Sequence, residues 1–178
     1  MFNLAQVSEY LDNSTTESLY LKCLRGRRIV LGDNSLDTLM TMSKLAKFFQ
    51  RQEKFILAEE LFTECLMRRR DILGNDHPIT IETILNFADF YEEFGSFSEA
   101  LPLYKEYLQI ARVIYGDSHS YTVVGMKRLA SIYESLEHYD DAKILYEESL
   151  KYIQHALGET HPCFKDTITS ISRLTSQP

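Results

Sequence analysis

Residues 73–78 read Leu-Gly-Asn-Asp-His-Pro, and residues 157–162 read Leu-Gly-Glu-Thr-His-Pro. The glycine of this segment recurs every 42 residues, at Gly32, Gly74, Gly116 and Gly158. Self-similarity at a fixed period of this length is the signature of repeat architectures, in which neighbouring copies bury each other's apolar faces. The sequence therefore predicts stacked repeat units throughout the chain.

Each unit carries two helical stretches. The first shows the i, i+3, i+4, i+7 spacing of one helix face, with Met42, Leu45, Ala46 and Phe49. The second continues in columns that recur in each unit, among them Ala58, Ala100 and Ala142, and Phe62, Tyr104 and Tyr146. Breaks fall at 52–54, 94–96 and 136–138, and Gly95 suits a left-handed residue at the end of a helix. We expect hairpins with a first helix of about 15 residues and a second of about 18.

The segments between hairpins contain helix stop and start signals. Glycine ends each second helix, and two residues later comes a residue of the type that favours the N-cap position. The sequence predicts N-caps at Asn34, Asp76, Ser118 and Thr160. Pro78 and Pro162 then lie in the first turn, where the missing N–H costs nothing. These strings are therefore interpreted as helix boundaries and not as catalytic motifs.

The repeat period defines the domain organisation. We predict a single repeat domain over 1–178, with a partial repeat at 2–31 that contains a helix at 2–11, full repeats at 34–73, 76–115 and 118–157, and a capping helix at 160–175. In the capping helix Phe164, Ile168 and Ile171 are expected to face inward. The opposite side is polar, as the end of a repeat array requires, with Lys165, Asp166, Thr169, Ser172 and Arg173.

The columns described above resemble the tetratricopeptide repeat, whose usual period is 34 residues. The 42-residue period and the two junction segments, 73–78 and 157–162, are similar to the repeats of kinesin light chains and nephrocystin-3-like proteins. The segment 85–88, Leu-Asn-Phe-Ala, also resembles a light-chain motif. The resemblance implies an all-α, right-handed α-solenoid of tetratricopeptide-type hairpins with a C-terminal capping helix. It also implies a binding role for protein partners.

In that repeat type the first helix of each hairpin lines a concave groove. The positions off the apolar stripe of these helices are therefore the candidate peptide-binding residues: Lys44, Lys47, Arg51, Glu82, Asn86, Asp89, Glu93, Lys127, Arg128 and Ser131. We expect an extended peptide to place acidic residues near Lys44, Lys47 and Arg51. The amide of Asn86 could bind the peptide main chain because it both donates and accepts hydrogen bonds.

Composition limits the other classes of function. The net charge is −7, from 19 basic and 26 acidic residues, which argues against a general nucleic-acid-binding surface. Three cysteines, an odd number, favour a reducing, cytoplasmic compartment. No apolar run is long enough for a membrane span, and the polar first thirty residues argue against a signal peptide.

The sequence offers little support for catalysis or for a metal site. His77, His119 and His161 occupy equivalent places in successive repeats, too far apart to share one ion, and only His161 has a cysteine nearby, Cys163. Adjacent pairs such as Glu92-Glu93 are interpreted as solvated helix faces, because adjacent helical residues do not face each other. We expect no enzymatic activity, no cofactor, no metal and no small-molecule substrate.

The sequence thus predicts a non-enzymatic scaffold that binds an extended peptide or partner segment in its groove, with a kinesin-light-chain-like cargo or adaptor role. The alternative is a regulatory or assembly module that self-associates through its ends or convex face. In that alternative the chain forms homo-oligomers through the partial repeat 2–31.

Overall fold

The structure is a computed structural model that describes residues 13–175. The chain forms eight helices within that range and no strand there. They are α1 (Asn13–Leu31), α2 (Leu36–Arg51), α3 (Phe55–Leu73), α4 (Pro78–Glu93), α5 (Phe97–Tyr115), α6 (Ser120–Ser135), α7 (Tyr139–Leu157) and α8 (Pro162–Thr175). The helix predicted at 2–11 lies outside the described residues.

The predicted hairpins are confirmed as local structure. Helices α2, α4 and α6 have 16 residues each, and α3, α5 and α7 have 19. The tight turns fall where the sequence breaks predict them. Gly95 has φ 70°, in the left-handed region, as expected, and the equivalent residues Glu53 (φ 55°) and Glu137 (φ 64°) adopt the same conformation without being glycine.

The prediction of the helix N-caps is wrong by one residue. The residue that precedes each of α4, α6 and α8 is a histidine, His77, His119 and His161. In each case the imidazole Nδ1 accepts a hydrogen bond of 3.2 Å from the backbone N–H two residues on. The junction glycines, which end the preceding helices, have φ near 80° and ψ near 165°. Thus Asn34, Asp76, Ser118 and Thr160 precede the caps.

The chain divides into two compact units, Met1–Thr83 and Ile84–Pro178, with the boundary inside α4. In the first unit, α1 packs on α2 and α2 on α3 around a core that includes Tyr20, Met42, Leu45 and Phe62. In the second unit, α5, α6, α7 and α8 pack in order. One cluster contains Ala88, Tyr104, Met126, Leu129 and Ile132, and α8 joins a second cluster with Ala130, Ala142 and Tyr146. The repeat columns predicted to be apolar thus form the cores. The assignment of one repeat domain over 1–178 stays a prediction.

The capping helix occurs as α8, but its buried stripe is shifted from the predicted one. Thr167 and Leu174 are buried and Ile171 packs against the core, whereas Ile168 is exposed. Residues 164, 167, 171 and 174 lie at i, i+3, i+7 and i+10 on one face of α8, and Ile168 lies at the edge of that face. The side predicted to face solvent does so.

Arginine and threonine side chains join successive hairpins of the first unit. Arg27 Nη1 donates to Thr41 Oγ1 at 2.6 Å and to the carbonyl of Asp37 at 2.7 Å. One repeat later, Arg69 Nη1 donates to Thr83 Oγ1 and to the carbonyl of Ile79. These arginines therefore bridge helices.

The second unit makes the same connection with different residues. Ala111 and Gly125 occupy the positions equivalent to Arg69 and Thr83. The ring of Tyr107 fills the space between them, and its hydroxyl donates to the carbonyl of Tyr121 at 3.2 Å. Because Tyr121 is equivalent to Ile79, the same backbone carbonyl is satisfied in both units.

Candidate functional site

All ten predicted site residues are accessible. Lys47, Arg51, Glu82, Glu93 and Arg128 are exposed, and Lys44, Asn86, Asp89, Lys127 and Ser131 are half-buried. Lys44, Lys47, Arg51 and Glu82 belong to the first compact unit, and the other six belong to the second. The two sets are described separately below.

In the second unit, three of the predicted residues meet around a buried tyrosine. The hydroxyl of Tyr104 donates to Asp89 Oδ1 at 2.5 Å and contacts Glu92 Oε2 at a similar distance. Arg128 approaches the same two carboxylates, with Nε 3.7 Å from Asp89 and Nη1 3.5 Å from Glu92. Ser131 Oγ lies 3.5 Å from Glu92 Oε1. Asp89, Arg128 and Ser131 therefore belong to one polar network that links α4, α5 and α6.

Sequence reasoning missed Glu92 in this network. The interpretation of Glu92-Glu93 as a solvated face is wrong for Glu92, whose carboxylate is mostly buried and accepts from Tyr104. Burial raises the pKa of Tyr104 well above its usual range, and the two carboxylates raise it further. The phenol therefore remains a hydrogen-bond donor. Arg128 is paired with Asp89 and Glu92, which belong to the same unit.

The same type of contact recurs one repeat further along the chain. Arg173 Nε pairs with Glu134 Oε1 at 2.7 Å, and the hydroxyl of Tyr146 lies 3.5 Å from Glu134 Oε2. Glu134 is the repeat equivalent of Glu92, and Tyr146 is that of Tyr104. Hydrogen bonding to Glu134 raises the pKa of Arg173 above its usual value. A tyrosine hydroxyl and an arginine thus contact the equivalent carboxylates Glu92 on α4 and Glu134 on α6.

The equivalent face of the first unit carries uncompensated positive charge. Lys44, Lys47 and Arg51 lie at i, i+3 and i+7 of α2, on one stripe. Lys47 occupies the repeat position of Asp89, and Gln50 that of Glu92, so both carboxylates are missing from this helix. Among residues 13–175, none of the three cations forms an ion pair. We call these three residues the basic face of α2.

The three junction histidines and Cys65 have structural roles. The three junction histidines cap helices, as described above, and no group of three or more His, Cys, Asp or Glu side chains that could hold a metal occurs between residues 13 and 175. Cys65 is fully buried beside Ser43, and burial raises the pKa of its thiol. A buried thiol with a raised pKa forms little thiolate, so Cys65 has the environment of a core residue.

The second helices carry further ion pairs. Arg28 Nη2 contacts Glu64 at 2.7 Å, and Arg112 Nη2 contacts Glu148 at 2.7 Å. Arg68 Nε adds a contact to Glu64 at 2.9 Å. Arg28 and Arg68, members of two arginine clusters in the sequence, therefore form ion pairs within the fold.

None of the helices between residues 13 and 175 combines the length and the apolar character that a membrane span needs.

Comparisons with solved structures show the fold. The protein from Podospora anserina with nearly identical TPR-like repeats, described as a kinesin light chain, matches with a TM-score of 0.84 and 18% identity over 96% of this chain and 81% of that chain. BtubC (BKLC) from P. vanneervenii matches with a TM-score of 0.72 and 19% identity over 92% of this chain and 66% of that chain. The N-terminal domain of stress-induced protein-1 from C. elegans matches at 0.59 and 15% identity, over 79% and 96%.

These similarities confirm the predicted fold class, an all-α solenoid of tetratricopeptide-type hairpins. No curated protein matches the sequence. A model of the tetratricopeptide repeat matches residues 37–112 and 85–155, which together span about two thirds of the chain. The repeats support a role as a protein-interaction scaffold. The chain therefore belongs to the tetratricopeptide repeat family.

Proposed function

We propose that this protein is a non-enzymatic scaffold that binds an extended segment of a protein partner on the first helices of its repeats. The basic face of α2 receives an acidic stretch of that segment. The observation that carries this proposal is the charge contrast between equivalent helices. The three cations on α2 form no ion pair among the described residues, whereas Asp89 and Glu92 on α4 contact Arg128 of α6.

The spacing of the three cations fits an extended acidic peptide. Lys44 and Arg51 are seven residues apart, which is about 10 Å along a helix. An extended chain covers the same length in about three residues. A partner with acidic residues three positions apart can therefore approach both ends of the basic face at once. Charge complementarity of this kind sets register and specificity more than affinity.

Asn86 gives the second unit a neutral contact for a peptide main chain. Its side chain is half-buried on α4, close in sequence to the paired residues Asp89 and Glu92. An amide side chain can donate to a carbonyl and accept from an N–H, as a β-strand partner does. In this proposal Asn86 supplies hydrogen bonds within the second unit.

The fold similarity to kinesin light chain repeats supports an adaptor role, in which the bound segment belongs to a cargo or to another component of an assembly. Such a role needs no cofactor. We place it in the cytoplasm, in agreement with the cysteine content.

A charge-reversal experiment tests the proposal. A fluorescent twelve-residue peptide with Glu at every third position is titrated with the full chain, and anisotropy reports binding. Lys44→Glu/Lys47→Glu should weaken binding about tenfold, because each reversed charge at a partly exposed site costs up to about 1 kcal/mol. Lys143→Glu/Lys151→Glu on α7 is the matched control. Equal affinity of the two double variants would contradict the proposal.

Self-association is the second candidate function. The exposed apolar side chains Ile29 and Val30 at the end of α1 favour it. The predicted interface, 2–31, lies partly outside the described residues. Light scattering over a range of concentrations distinguishes the candidates, since a scaffold for a foreign segment stays monomeric without its partner.

A further inference from the structure

Each full hairpin places one aromatic ring of its second helix in the core at the same repeat position. The rings belong to Phe62 on α3, Tyr104 on α5 and Tyr146 on α7, and all three are buried. The two tyrosines carry a hydroxyl that the phenylalanine lacks. The three hairpins therefore differ in one polar group at this position.

Each tyrosine hydroxyl contacts a glutamate on the first helix of its own hairpin. The hydroxyl of Tyr104 contacts Glu92 on α4, and the hydroxyl of Tyr146 lies 3.5 Å from Glu134 on α6. An arginine contacts each glutamate as well. The two glutamate side chains are only 21% and 20% exposed, and a carboxylate that loses water needs hydrogen-bond donors in exchange. The tyrosine supplies one of these donors.

The first hairpin lacks both members of this pair. Phe62 has no hydroxyl. The residue equivalent to Glu92 and Glu134 is Gln50, which is half-buried and uncharged. A carboxylate at this position would lose water beside a ring that cannot donate a hydrogen bond, whereas the neutral amide of glutamine costs less to desolvate. The two positions therefore change together, from tyrosine with glutamate to phenylalanine with glutamine.

The residue one turn earlier on the first helix follows the same division. Lys47 of α2 is exposed, whereas Asp89 of α4 and Ser131 of α6, at the equivalent position, are half-buried. Asp89 accepts a hydrogen bond from the hydroxyl of Tyr104. Phe62 offers no polar atom at this point, and Lys47 extends into solvent. The hairpin without the hydroxyl is thus the one whose first helix exposes a cation at this position.

We propose that the pair Phe62 and Gln50 determines the charge preference of the basic face of α2. The ring disfavours a carboxylate at position 50, so the charges of Lys44, Lys47 and Arg51 remain available to acidic residues of a partner. This inference rests on the function proposed above and adds the residues that set its specificity. Phe62 is fully buried and acts through Gln50, which makes it a positioning residue.

Two double-mutant cycles on stability test the pairing. Gln50→Glu should lower the urea midpoint of the full chain, and adding Phe62→Tyr should recover a large part of that loss, because the new hydroxyl donates to the new carboxylate. The second unit offers the reverse exchange, which leaves α2 untouched. Tyr104→Phe should lower the midpoint, and adding Glu92→Gln should recover part of the loss. Additive effects in both cycles would overturn the proposal.

Peptide binding tests the effect of the pair on specificity. The probe is the fluorescent twelve-residue glutamate peptide described above, and anisotropy measures its affinity for the full chain. Gln50→Glu/Phe62→Tyr should bind the peptide about threefold to fivefold more weakly, as one added charge at a partly exposed site allows. Gln109→Glu, the same change of charge at an exposed position of α5, is the matched control and should leave the affinity unchanged.

A comparison with the charge-reversal variant separates this inference from the function on which it rests. Weaker binding by Lys44→Glu/Lys47→Glu together with unchanged binding by Gln50→Glu/Phe62→Tyr would overturn the role of the pair and leave the proposed function in place. Unchanged binding by both variants would overturn the proposed function and this inference with it. Circular dichroism verifies that each variant is folded before its affinity is compared.

Discussion

The ring of Tyr107 lies so close to the backbone of Gly125 that a Cβ at Gly125 would be 2.8 Å from Cε1 of the ring. The tyrosine hydroxyl then satisfies the carbonyl of Tyr121. In the first unit, Arg69 and Thr83 satisfy the equivalent carbonyl of Ile79. A tyrosine with a glycine and an arginine with a threonine are thus two solutions to the same contact between helices.

Replacing this glycine should destabilise the protein. Alanine usually stabilises a helix relative to glycine, but in Gly125→Ala the overlap with Tyr107 outweighs that gain, and we expect a loss of about 1–3 kcal/mol in the free energy of unfolding. Gly26→Ala, where space is open, should instead gain about 0.5–1 kcal/mol. Urea unfolding measures both. A stabilising effect of Gly125→Ala would show that the ring moves away freely.

The hairpin turns offer a stabilising substitution. Glu53 and Glu137 adopt the left-handed conformation that Gly95 adopts in the equivalent turn. In this conformation a residue with a Cβ destabilises the folded state by about 1–2 kcal/mol relative to glycine. Glycine offsets part of that difference, because it has more conformational entropy in the unfolded chain. We therefore expect Glu53→Gly and Glu137→Gly each to raise the unfolding free energy by up to about 1 kcal/mol, and Gly95→Ala to lower it by a similar amount. Thermal unfolding that moves in the opposite direction would refute this account of the turns.

The stability contributed by the histidine N-caps can be compared with that of an equivalent N-cap residue that makes no side-chain hydrogen bond. Ser35 precedes α2 at the same repeat position but makes no side-chain cap hydrogen bond. His77→Ala and His161→Ala should each cost about 1 kcal/mol of stability, and the corresponding asparagine variants should recover most of it. Ser35→Ala should change stability by less than about 0.5 kcal/mol. Equal losses for serine and histidine would mean that the imidazole contacts contribute nothing.

The buried tyrosines make stability depend on alkaline pH. Burial, and then the carboxylates Asp89 and Glu92, raise the pKa of Tyr104, and burial raises the pKa of Tyr107 to about 12. Below pH 10 these tyrosines are protonated in both states, so their contribution is fully present. As pH rises from 10 to 12, the unfolded state loses protons first, and each group lowers the unfolding free energy by up to about 1.4 kcal/mol per pH unit.

A single variant isolates the contribution of Tyr104. Chemical denaturation at pH 9, 10 and 11 should give a smaller loss of stability with pH in Tyr104→Phe than in the unmodified chain. Identical pH dependence of the two proteins would contradict a role for the Tyr104 hydroxyl in the network.

The 42-residue repeat period predicted the helical hairpins and the ends of the second helices. Gly32, Gly74, Gly116 and Gly158 predicted the ends of the second helices because a positive φ at that position is specific to glycine. The caps were misplaced by one residue because Asp76 and Thr160 are favoured cap types, whereas histidine accepts a hydrogen bond at this position only in one tautomer. The stripe of α8 was misplaced for another reason: residues 164, 167, 171 and 174 share one helix face, and Ile168 lies at its edge and is exposed.

The contacts of the site could not be predicted from spacing alone. Arg128 meets Asp89 and Glu92 across 36 to 39 residues, and that pairing depends on the crossing angle of packed helices. No periodicity in the sequence encodes this angle. The binding of a partner by the first helices stays a prediction, and the contacts of Asp89 and Glu92 with Tyr104 and Arg128 required coordinates.

The most direct test of the central claim is a two-dimensional NMR titration of the full chain with the acidic twelve-residue peptide. The account predicts that amide shift changes concentrate in α2, around Lys44, Lys47 and Arg51, and weaken as salt is added. Shift changes concentrated instead around Asp89 and Arg128, or none at saturating peptide, would contradict it.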